Sequence, residues 1–67
     1  MIIMDLKRYY DKTVLITTVK GKVFSGKVND YFYPDDNESG LESIVIDTPD
    51  GSIIEFTEEN IETITEI

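Results

Sequence analysis

The stretch Gly21-Lys22-Val23-Phe24-Ser25-Gly26-Lys27-Val28-Asn29-Asp30-Tyr31-Phe32-Tyr33-Pro34 decides the fold. In an extended chain alternate residues share a face, so Phe24, Val28 and Phe32 line one side, with Gly26 between the first two. Val23 and Tyr31 fall on the opposite side among Ser25, Lys27 and Asn29, a face that is only partly apolar. The pattern predicts one long, bent strand. Gly26 has no side chain, so a second backbone can approach there and the ribbon can curl, which is how a small sheet folds over its own core.

The flanking segments read as material to pair with this strand. Upstream, Thr13 to Val19 is β-branched or aliphatic throughout, which favours a strand, and its dense apolar content predicts at least partial cover on both faces, by the helix on one side and the core on the other. Lys20-Gly21 supplies the turn into the long strand. Before it, Asp5 is placed to cap a short helix on which Leu6, Tyr9 and Tyr10, at i, i+3 and i+4, form an apolar stripe lying across one end of the sheet. Downstream, Pro34 to Gly40 has no apolar residue and reads as a solvated loop. Leu41 to Thr48 alternates again, Pro49-Asp50-Gly51 makes a tight reversal, and Ser52 to Phe56 is a fourth strand. Thr57-Glu58-Glu59-Asn60 is a brief helical turn before a fifth strand, carrying Ile61 and Ile64, that ends at Ile67. The expected fold is mainly β: a short N-terminal helix and a five-stranded, strongly bent antiparallel sheet in one domain spanning residues 1–67.

Composition narrows the function. The chain has 67 residues and neither cysteine nor histidine, which removes disulfide staples, zinc fingers and Cys/His or Ser/His catalysis. Its carboxylates lack the sheltered cleft that would separate an acid from a base, so no enzyme is expected. Asp35, Asp36, Asn37 and Glu38 are consecutive, without the alternation and central glycine of a calcium loop, and neither metal nor cofactor is expected. The apolar run Met1 to Met4 is too short for a membrane span or signal-peptide core, and a soluble, cytoplasmic protein is the expectation. Charge is segregated. All six cations lie in the first 27 positions with only Asp5 and Asp11, while the remaining forty residues carry twelve carboxylates and no cation, for a net charge of −8.

Leu6, Lys12, Val14, Ile16, Gly21, Gly26 and Val28, followed by Phe56, Ile61 and Ile64, stand at spacings that resemble the Sm/LSm family of small β-barrels. The resemblance implies an SH3-like small barrel that forms rings and commonly binds RNA. The chain departs from the family at the RNA pocket. Phe32 and Asp36 stand where Asp and Asn are expected, and Thr57-Glu58 replaces the Arg-Gly pair, putting a carboxylate where a planar cation would meet base and phosphate.

Three expectations follow. The first is a self-assembling module, a homo-oligomer closing into a ring through its fourth and fifth strands, with Ile53, Ile54, Phe56, Ile64 and Ile67 buried at the junction and Glu55, Glu62 and Glu66 on the solvent side. The second is weak RNA binding through a basic patch of Lys7, Arg8, Lys12, Lys20, Lys22 and Lys27, with Tyr31 and Tyr33 as stacking faces. The third is a monomeric, SH3-like protein-interaction adaptor with a peptide groove at Tyr31, Tyr33 and Pro34.

Overall fold

A computed structural model describes residues 5–67, so the Met1 to Met4 run lies outside the described residues. The fold is mainly β, with five antiparallel strands: β1 (Thr13–Thr18), β2 (Val23–Phe32), β3 (Ser43–Asp47), β4 (Ile53–Thr57) and β5 (Ile61–Glu66). They form one sheet in the order β4-β3-β2-β1-β5. The two edge strands are therefore consecutive in the chain, joined only by a 3-10 turn at Glu58–Asn60. A link of that length reaches about 14 Å, whereas the outer strands of a flat five-stranded sheet lie about 19 Å apart. The sheet must curl to satisfy the link, yet it stays open, because β4 and β5 do not pair.

The curl passes through Gly26. A Cβ built there would collide with the backbone of Asp47, lying 2.8 Å from its carbonyl carbon and closer still to its carbonyl oxygen, and 3.2 Å from Thr48 Cα. The end of β3 thus lies directly against the β2 backbone at Gly26, the close approach that the sequence predicts. The β3–β4 reversal also follows its residues: the Gly51 N–H donates to the Thr48 carbonyl at 3.0 Å, and Gly51 takes φ +90°.

Leu6, Val14, Ile16, Val28, Ile44, Ile46, Phe56 and Ile61 form the buried core, with Tyr9, Phe24, Tyr31, Ile54 and Ile64 packed partly against it. The Phe24 and Phe56 rings lie 5.4 Å apart in a tilted arrangement. Phe32 is not among the core residues. Val28 pairs with Ile46, but the next pair is Asp30 with Val45, so β2 carries one extra residue at Asn29. Such a bulge reverses the in-out alternation beyond it. Tyr31 then pairs with Ile44 and turns toward the core, while Phe32 pairs with Ser43 and lies on the other face. This corrects the expectation that Phe32 shares a face with Phe24 and Val28 and that Tyr31 opposes them.

Two further expectations change. The helix is a 3-10 turn at Leu6–Tyr9, and Asp5 makes no side-chain cap. Four residues cannot meet the nucleation cost of an α-helix, and three-residue periodicity aligns Leu6 with Tyr9 while leaving Tyr10 53% exposed. On β1, Val14 and Ile16 are buried on one face, while the other is covered only in part, with Leu15 40% exposed and Thr17 half-buried.

Gly26→Ala is expected to lower stability by about 1–3 kcal/mol, because the obstructing atoms are backbone and cannot rotate away. Urea denaturation followed by circular dichroism measures the loss. Gly21→Ala, where an added Cβ meets no atom within 4 Å and only the φ of +83° is unfavourable, is the comparison.

Candidate interaction surfaces

At one end of the molecule the Leu6–Tyr9 turn and the end of β2 enclose an open groove of about 420 Å³ lined by Lys7, Tyr10, Asp30, Tyr31 and Tyr33. Tyr31 and Tyr33, two positions apart where the extended chain leaves β2, fall on one side of it. Their rings meet edge to face at 5.1 Å and 83°. The Lys7 ammonium stands over the Tyr33 ring, 5.0 Å from its centroid. Asp30 Oδ1 accepts the Tyr31 N–H at 2.9 Å, which fixes the carboxylate at the rim.

Glu42, at the entry to β3, holds this end in place. Its Oε1 accepts the Leu6 N–H at 2.6 Å and its Oε2 accepts the Tyr31 hydroxyl at 2.7 Å. One carboxylate thus caps the turn that Asp5 leaves uncapped and orients the floor of the groove. Burial, followed by this bond to Glu42, pushes the Tyr31 phenol well above the ordinary tyrosine range. The loop beyond is also anchored. Asn37 Nδ2 donates to the Leu41 carbonyl at 2.7 Å and to Ser43 Oγ at 3.1 Å, and the buried Ser43 hydroxyl donates to Glu55 Oε2 at 2.9 Å.

The predicted basic residues do not share one surface. Lys7 lies in the groove, and Arg8 stacks on Tyr9 at 5.5 Å on the same turn. Lys12 adjoins the start of β1, beside Lys27, which pairs across from Thr13 and bridges Asp11 at 3.1 Å. Lys20 and Lys22 sit at the hairpin turn at the opposite end of this ladder, roughly 17 Å away at ordinary strand rise. There they border a cleft with Thr18, Val19, Glu55, Phe56 and Asn60.

The predicted junction residues divide in a similar way. Ile53 on β4 is 70% exposed and Ile67, just past β5, is 66% exposed, whereas Ile54 and Ile64 are half-buried and Phe56 belongs to the subunit's own core. A second cleft runs beside β5, lined in part by Arg8, Tyr9, Glu62 and Ile64. The carboxylates expected on the solvent side, Glu55, Glu62 and Glu66, are all exposed, Glu66 opposite Val14 at the strand's open end.

Among the described residues, no group of three or more Asp, Glu, His or Cys side chains is gathered so as to hold a metal ion, and no helix is long and apolar enough to cross a membrane. Compared with protein-family models, curated proteins and solved structures, the chain matches none of them. Tyr10 and Asp30 enter the groove, and Glu42 braces it, without any sequence signal. Glu42 acts on residues 36 and 11 positions away, a relation that only the folded chain creates.

Because the folded state favours the protonated Tyr31 phenol, its contribution to stability is complete below about pH 10 and is lost as the pH climbs toward the raised folded value. Ultraviolet absorbance titration should show one of the four tyrosines ionising last, a step absent from Tyr31→Phe. Glu42→Gln should bring that step to lower pH and reduce stability by about 1–2 kcal/mol in urea denaturation.

Proposed function

We propose that this chain is a non-catalytic, cytoplasmic Sm-like module whose principal partner is itself, assembling when β4 of one copy pairs with β5 of the next. The observation that carries the reading is the strand order, which leaves β4 and β5 as the two edges of a curled sheet. Each edge presents unpaired amides and carbonyls, the template for adding a neighbouring strand. Ile53 and Ile67 stand exposed on or beside those edges and would lose water at the junction. A contact between two different edges is heterologous, and it closes into a ring when the rotation from copy to copy completes a full turn.

Electrostatics sets the conditions. β4 carries Glu55, and β5 carries Glu62 and Glu66, with no cation on either strand. Like charges brought together at a junction repel, and salt screens them. RNA is the subsidiary partner in this reading. It is supported by Lys12 and Lys27 at one end of the β1–β2 ladder, with Arg8 on the preceding turn, and opposed by the net charge of −8.

Light scattering on the chain at salt concentrations of about 0.05 and 0.5 M should give a multiple of the 7.7 kDa subunit mass, larger at the higher salt. Ile53→Asp should reduce the mass to that of one subunit while leaving the circular dichroism unchanged. A monomer at every concentration and both salt levels would remove the assembly reading.

A further inference from the structure

We propose that the groove between the Leu6–Tyr9 turn and the end of β2 receives a cationic side chain, an arginine or lysine on an extended basic peptide, and that Lys7 is the chain's own occupant of that place. The inference rests on the peptide-groove reading of Tyr31 and Tyr33 and is independent of assembly, since none of the lining residues belongs to β4 or β5.

The chemistry of the lining selects the ligand. Tyr10, Tyr31 and Tyr33 bring aromatic rings to one concavity, and the faces of such rings carry negative charge density that attracts cations. The fold already displays that attraction, because the Lys7 ammonium stands 5.0 Å from the Tyr33 centroid. Asp30 supplies a fixed anion at the rim. One of its oxygens takes the Tyr31 N–H, and a carboxylate has a second to offer. Further carboxylates flank the place along the chain: Asp5 precedes the turn, and Asp35 and Asp36 follow Tyr33 and Pro34 directly. Against these, Lys7 is the one cation in the lining. A polyanion meets repulsion here, and a cation meets attraction.

The site is also prepared before a ligand arrives. Tyr31 is held by its hydrogen bond to Glu42, and Tyr33 rests edge to face against Tyr31. Tyr10 and Tyr33 are 53% and 51% exposed, so their rings are open to a partner. At about 420 Å³ the groove accommodates one long side chain with the backbone that presents it. A guanidinium suits it better than an ammonium, since a planar cation can stack on a tyrosine and donate to Asp30 at once.

Three probes separate the readings: a blocked proline-rich decapeptide carrying one arginine, its twin with neutral citrulline, and a short uridine oligonucleotide. Each is titrated into the isotope-labelled full chain and followed by nuclear magnetic resonance. The arginine peptide should shift the amides of Tyr10, Asp30, Tyr31 and Tyr33, and the citrulline twin should bind about tenfold more weakly. Tyr33→Ala should weaken binding about tenfold and Asp30→Asn about threefold. Lys7→Ala should tighten it about threefold by removing the internal competitor, whereas a polyanion site would be weakened by the same change. The proposal is overturned if the two peptides bind equally, if Lys7→Ala weakens the arginine peptide, if only the oligonucleotide moves the groove amides, or if neither wild type nor Lys7→Ala responds to the arginine peptide. Binding of the arginine peptide with shifts confined to other residues would overturn the location alone and leave a peptide adaptor standing.

Discussion

The backbone of Asp47 lies against Gly26 with no side chain between them, and the architecture depends on that contact. It lets the end of β3 lie close against β2 as the sheet curls. Without the curl, a three-residue link could not carry the chain from the outer edge at β4 to the opposite edge at β5. The curl also gathers Phe56, from one edge, with Ile61 and Ile64, from the other, over Val14, Ile16 and Val28. A chain of 67 residues has little apolar surface to spare, and bending one sheet over itself lets a single layer supply both sides of a core.

Much of this arrangement was legible in the residues because it rests on local rules. Alternation placed β2 and β3, β-branched content placed β1, turn residues bounded β4 and β5, and Gly26, set between Phe24 and Val28, marked the close approach of a second backbone. What escaped reading was every feature created by residues meeting across the sheet. The extra residue at Asn29 leaves no mark in composition, yet it exchanges the roles of Tyr31 and Phe32. Charge counting gathered six cations into one patch because it had no ladder to measure along, and the ladder separates Lys20 and Lys22 from the rest. The same blindness hid Glu42, whose side chain joins the N-terminal turn to the groove.

The two proposed surfaces divide the molecule between them. The edges of the sheet, at β4 and β5, are where copies of the chain would join, and the tyrosine groove sits at one end, on the turn and the central strand. Segregated charge gives each its character. Acidic strands make edge contacts sensitive to ionic strength, and the carboxylates around the groove favour a positive guest. An assembled ring would present many grooves on one rim, so that weak single contacts add up through multivalency.

The bulge in β2 also bears on how such a chain changes through time. Deleting Asn29 alone would restore strict alternation, sending Phe32 into the interior and Tyr31 outward. The gross topology would survive, because a phenylalanine fills a tyrosine's place, but the hydroxyl that meets Glu42 would be gone from the inner face. The loss of a single residue thus separates a chain that keeps the tyrosine groove braced by Glu42 from one that keeps only the scaffold.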